Sequence, residues 1–399
     1  MFSKLKEAFK PNTSYRALFA SIVTFALAFG LYKGIIDNYL AEVAGMSEFD
    51  KGVSEFFREL PGLLIILVLI ILYKYSAARL FQIGAVIMLA GMVMQASIPS
   101  TKVLVIAAIF IYSLGEHIQL GMRNTLTLEY AKEGKSGLAL GRQNAVYQIG
   151  TLAGYAAVIG IFMVLGTRTS LFKPIFWLSA LIIFAGMLVA FKIRGESRPD
   201  PNKSRLYLNK KYTKYYMLEL FYGARKQIFF TFGPYTLVLF YGASAKAISI
   251  LHAVAAICAF IASPWVGKII DKLGYKIVMI SDTLILVIVC LSYGFAHHIF
   301  PMRIAFFVCC ANYVLDAVIS LASMASNVYV QDLANNTEEV KATISTGLSI
   351  NHLVTIFVAL FGGWVWKTLG IETLFILSAV LGLCNSAYAA TIKTRRQTD

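Results

Sequence analysis

The residues in this sequence with chemistry to do are charged side chains set inside long apolar runs. Lys33 and Asp37 lie in the first run, Glu116 and Arg123 in the fourth, Glu219, Arg225 and Lys226 in the seventh, and Asp316 in the tenth. A charge at bilayer depth is costly, and such residues mark solute pathways or buried pairs. Four of the eight are cations and four are anions, so the set is formally neutral. It can pair internally when empty and re-pair around a bound solute. Lys33 and Asp37 are spaced i,i+4, which suits either a plain ion pair or a solute contact. Glu116 and Asp316 fall near the middle of their runs. A carboxyl there, approached by a cation in one conformation and not in another, takes up and releases a proton. Glu116, Asp316, Asp37 and His352 are therefore the candidate coupling groups; His352 is otherwise a satisfied hydrogen-bonder. Arg225 and Lys226 are adjacent and diverge by about 100° on a helix. One is expected to meet solute and the other to pair with an acid. Arg58 and Glu59, close to Pro61 and Gly62, are expected to steady an outer gate.

Twelve apolar runs are long enough to span a bilayer, at roughly 16–44, 50–73, 78–98, 102–128, 138–166, 172–192, 213–240, 246–265, 277–296, 301–326, 342–366 and 371–392. Of 399 residues, 58% are hydrophobic and 14% charged, well below the roughly 25% charged of soluble domains. Most of the 36 Lys and Arg residues cluster on one side of these runs. Only Lys51, Lys102, Arg168, Lys173, Lys246, Arg303 and Lys367 fall at or between the ends of runs on the other side. The positive-inside rule then places both termini in the cytoplasm. The net charge of +15 thus reflects orientation and not a nucleic-acid partner. A basic stretch with Pro199 and Pro201 divides the chain into 1–192, a linker at 193–212 and 213–399. Gly30 and Lys33 of the first run recur as Gly223 and Lys226 of the seventh, and Glu116 of the fourth as Asp316 of the tenth. That is the mark of duplicated six-helix halves.

Other chemistries lack their residues. Cys258, Cys290, Cys309, Cys310 and Cys384 all sit in apolar runs, and no metal or disulfide pattern is expected. Gly134-Lys135-Ser136 resembles the end of a phosphate loop, but Glu129 stands where the first glycine belongs. Glu116-His117 reverses a zincin order, and Ser113 lacks elbow glycines. No catalytic residue and no cofactor is expected.

The stretch Gly267-Lys268-Ile269-Ile270-Asp271-Lys272-Leu273-Gly274-Tyr275-Lys276 resembles the cytoplasmic loop signature of the major facilitator superfamily, G-x-x-x-D-x-x-G-x-[KR]. The stronger copy that the family carries between helices two and three is absent, since 74–79 holds neither glycine nor acid. Gly141, Gly150 and Gly154 also match the spacing of that family's antiporter motif in helix five, with Tyr155 in place of proline. Close helix packing is the favoured reading of these glycines. The resemblance implies an all-α membrane protein of twelve transmembrane helices in two pseudo-symmetric six-helix bundles. It implies helices one, four, seven and ten around a cavity, and Gly267, Asp271, Gly274 and Lys276 as a gating loop. The substrate-binding set is then Lys33, Arg123, Arg225, Lys226, Tyr32, Tyr222, Gln227 and Asn312. Its cations favour an organic anion or zwitterion.

The expected function is secondary active transport by alternating access, driven by a proton gradient, with sodium at Asp37, Glu55 or Glu59 as the runner-up. A multidrug or lipid exporter, or a receptor of the same shape, is the alternative. The expected partners are a small-molecule substrate and membrane lipids, with the chain a monomer in a bacterial inner or plasma membrane.

Overall fold

The computed structural model describes residues 7–11, 13–72, 74–195 and 207–392. Most of the expected linker, 196–206, and the terminal basic residues Lys4, Lys6, Lys393, Arg395 and Arg396 lie outside the described residues.

The apolar runs form twelve helical rods. They are α1 (Tyr15–Asn38), α2 (Glu48–Ile71), α3 (Ala77–Ser97), α4 (Lys102–Tyr130), α5 (Ser136–Leu165) and α6 (Phe172–Ala190), then α7 (Thr213–Leu239), α8 (Ala245–Leu273), α9 (Tyr275–Ile299), α10 (Met302–Leu333), α11 (Thr337–Leu369) and α12 (Ile371–Ala390). Among the described residues, ten are long and apolar enough to cross a membrane. The other two, α2 and α7, are 24 and 27 residues long and carry the densest charge. Apart from one bridge between Phe9 and Ala131, the described residues form no extended pairing. Large apolar side chains such as Val164 and Ile288 stand exposed on the outside of the rods. A water-soluble surface does not tolerate so many, and lipid does.

Local sequence sets the ends. Ser76 caps α3 by accepting from the Arg79 N–H, and Asn336 caps α11 by accepting from the Glu339 N–H. Gly274, at φ +83°, separates α8 from α9, a conformation that costs glycine little. Here the sequence expectation is corrected. Helix α8 does not stop at 265 but continues to Leu273. Gly267 and Asp271 therefore belong to its last two turns and not to a loop.

Contacts cluster the chain into two compact units. The first comprises 1–45, 60–205 and 244–250, and the second 46–59, 206–243 and 251–399. In the first, α1 packs on α5 and α6, and α3 on α4 and α6. In the second, α7 packs on α11 and α12, and α9 on α10 and α12. Each pair in the second unit is a pair of the first advanced by six helices, as duplication requires.

Glycine permits the closest of these contacts. A Cβ on Gly154 would lie 2.7 Å from the Gly30 Cα, and one on Gly150 would lie 2.7 Å from the Ala26 Cβ. Gly141 faces open space, so two of the three spaced glycines are packing residues. Gly154→Val is expected to cost about 1–3 kcal/mol by overpacking and to lower the thermal unfolding midpoint. Gly141→Val should leave it unchanged.

Candidate functional site

In the first unit, Lys33 Nζ lies 3.3 Å from Asp37 Oδ2 on the same face of α1, and the Asp37 carboxylate is buried. On α4, Glu116 and Arg123 are seven residues apart and so share a face. The Arg123 guanidinium stands 4.4 Å above the Tyr147 ring of α5. Glu116 acts electrostatically on Tyr147 and on Tyr112. Tyr112 in turn packs against Tyr32 at 4.9 Å between ring centres, joining α4 to α1. The acid and the cation are thus held on a framework of tyrosines.

The second unit carries the denser cluster. Arg225 Nη2 bonds Asp282 Oδ2 at 2.7 Å, and both side chains are buried. Thr283 Oγ1 donates to the other Asp282 oxygen. Arg225 also lies over the Tyr222 ring at 4.9 Å. Moving such charges out of water is costly, and only close pairing and further hydrogen bonds offset it. Lys226, one residue on, has a different setting. It is exposed, lies 5.8 Å from the Tyr222 ring centre, and makes no salt bridge among the described residues.

The acids around Lys226 are placed by α7 and α10. Glu219 accepts from Ser326 Oγ at 2.8 Å and is hydrogen-bonded to Asn351. Asp316 is half-buried and feels the charges of Arg225 and Lys226. One turn after Asp316, α10 breaks into a short 3-10 segment, Ser320–Ser323, before resuming at Met324. Mid-helix 3-10 turns often mark hinges. The Tyr222 hydroxyl donates to the Ser320 carbonyl there at 2.9 Å. A cavity of about 20 Å³ lies against this break, lined by Glu219, Tyr222, Asp282, Ser323, Ser326 and Asn385. That is room for about one water molecule.

A third group joins α2 to α11 within the second unit. Lys51 pairs with Glu55 at 3.5 Å, and Arg58 bonds both Glu55 and Glu59. His352 Nδ1 lies 3.1 Å from Glu59 Oε2.

The Major Facilitator Superfamily pattern matches residues 15–213 and 215–399. The chain belongs to the major facilitator superfamily. Its fold is that of solved transporters. The nucleoside transporter NupG superposes with a TM-score of 0.74 at 15% identity, over 96% of this chain and 100% of that one. A D-xylose-proton symporter gives 0.74 at 12%, over 96% and 98%. The peptide transporter POT, solved in complex with sulfate, gives 0.69 at 13%, over 94% of each. None of the curated proteins matches the sequence. Membership makes the chain a multi-pass membrane transporter and not an enzyme.

Within that superfamily fold, several expected site residues have other employment. Arg225 is committed to Asp282. Gln227 is buried and donates to Thr231 on its own helix. Asn312 donates to Ser292, tying α10 to α9. Tyr32 is buried among Tyr112 and Phe176. All four belong to the expected substrate-binding set, and their side chains make these contacts within and between helices. Of the expected gating loop, only Gly274 lies outside a helix, and Lys276 opens α9. Asp271 is exposed and makes no hydrogen bond or ion pair among the described residues. Asp271→Asn should therefore leave thermal stability unchanged, as a melting curve in detergent would show.

Two partners went unseen in the sequence, Asp282 for Arg225 and Glu59 for His352. An isolated acid inside an apolar run was the available signal for Asp282.

Proposed function

We propose that this chain moves a small organic anion or zwitterion by alternating access, coupled to protons. The observation that carries the reading is Lys226, a cation without a salt bridge among the described residues, exposed beside Tyr222 and within the field of Glu219 and Asp316. A cation without a direct salt bridge, beside aromatic surface, suits a carboxylate or phosphate on an organic body. We assign the anion contact to Lys226 and set Arg225 aside. Arg123 over Tyr147, with Glu116 on the same face, supplies a similar group in the first unit; Lys33 and Asp37 act as a pair. Asp316 and Glu116 are the coupling acids in this reading, and the Glu59–His352 pair is a second titratable contact. Both termini and the linker are assigned to the cytoplasm on charge, and the two halves to 1–192 and 213–399. The D-xylose-proton symporter among its structural neighbours is consistent with proton coupling.

Reconstitution tests this. Proteoliposomes offered labelled organic anions, amino acids and peptides should show saturable uptake that an imposed inward proton gradient accelerates and a protonophore removes. Saturable binding with no flux across the membrane would instead favour a receptor.

A further inference from the structure

The sequence offers no metal motif, yet the fold brings together two imidazoles and a carboxylate at one end of the second unit. We propose that His297, His298 and Glu372 form a site for one divalent transition-metal ion of the zinc class. His297 Nε2 stands 3.1 Å and His298 Nε2 2.8 Å from the same carboxylate oxygen, Glu372 Oε1. The ligand atoms of all three residues lie within 4.8 Å of one another. Metal–ligand distances for zinc are about 2.0–2.2 Å, so atoms at the corners of its tetrahedron stand roughly 3.3–3.5 Å apart. The two nitrogen–oxygen separations need only lengthen by roughly 0.2–0.7 Å to reach that spacing. Two imidazoles and a carboxylate suit Zn²⁺, Cu²⁺ or Ni²⁺ in preference to Ca²⁺ or Mg²⁺. The fourth position is left to water, as in zinc sites with three protein ligands.

The scaffold is built for this convergence. Adjacent residues on a helix normally diverge, yet the His297 and His298 rings stand 4.0 Å apart at the last turn of α9. Phe240 packs against His297 at 4.8 Å and Phe295 against His298 at 6.0 Å. Glu372 sits in the first turn of α12, where the helix N-terminus favours its negative charge. Two glycines admit it. A Cβ on Gly294 would lie 3.2 Å from the Phe375 Cβ, so the ends of α9 and α12 approach closely. A Cβ on Gly370 would lie 2.8 Å from Glu372 Oε2, so a side chain there would displace the carboxylate. The two helices are already packed together within one unit. The three residues thus sit on packed helix ends, and His298, the most exposed of the three, leaves the site open to solvent.

The test uses the full chain without a polyhistidine tag, stripped with a chelator and titrated with ZnCl₂ by calorimetry. Wild type should bind one equivalent and show a higher unfolding midpoint with zinc. His298→Ala removes an exposed ring and should leave the fold intact. It should weaken binding by more than the roughly 10- to 100-fold that loss of an outer-shell partner costs. Glu372→Gln should do the same and abolish the visible absorption of bound Co²⁺. Absence of zinc binding by the wild-type protein would overturn the proposal. So would one tight equivalent retained in a folded His297→Ala/His298→Ala double variant, since the ion would then sit elsewhere.

Discussion

Replacing Arg225 by Met should destabilise the protein by about 3–5 kcal/mol, the usual cost of leaving a buried charge without its partner. Asp282 would be left in an apolar position with only Thr283 to bond it. The same substitution made together with Asp282→Leu should recover most of the loss, because an apolar pair of similar volume is often neutral or stabilising. The two measurements form a double-mutant cycle, read by denaturant or thermal unfolding in detergent. A single Arg225→Met variant as stable as wild type would mean that Asp282 does not depend on this pairing. Arg225 would then again be a candidate solute ligand.

Lys226→Ala should act in the opposite way, sparing stability and removing affinity. Its ammonium is exposed and makes no salt bridge among the described residues, so truncation leaves no buried acid stranded. A hydrogen bond to a charged group contributes about 1.5–3 kcal/mol. Loss of one such contact to an anionic solute should therefore weaken binding roughly 10- to 150-fold. Lys226→Arg should restore part of it if the solute presents a carboxylate or phosphate. Equal affinities in wild type and Lys226→Ala would move the anion contact to Arg123 or Lys33. The pair of substitutions at 225 and 226 is informative because the residues are neighbours in sequence and unlike in setting.

That difference shows how far the sequence could be read. Apolar runs define twelve rods because they follow from the bilayer acting as solvent, and the recurrence of Gly30 and Lys33 as Gly223 and Lys226 marks the duplication. Helix α8 outruns its apolar run for a related reason. Lys268, Asp271 and Lys272 signal where the chain leaves lipid, but the helix continues through them until Gly274 permits a positive φ. Polarity reports the membrane boundary and not the helix boundary. Adjacent side chains on a helix normally diverge, which is why one of Arg225 and Lys226 is expected to meet solute and the other to pair with an acid. Which of them was paired depends on Asp282, 57 residues away on another helix. Local pattern carries no information on that contact. Glu59 and His352 are still further apart in the chain, as are His298 and Glu372. The break in α10 at Ser320–Ser323 had a weak signal in its serines, which compete for backbone hydrogen bonds.

In the proposed cycle, protons move with solute through acids held inside the membrane. The most direct measurement is the lumenal pH of proteoliposomes, followed with a trapped dye as organic anions and zwitterions are added outside. Wild type should acidify the lumen as solute enters. Asp316→Asn and Glu116→Gln keep side-chain shape but cannot titrate. They should lose proton movement and uphill uptake while solute-for-solute exchange persists. Solute entry in wild type with no change in lumenal pH, and no response to an imposed proton gradient, would contradict the coupling assigned here.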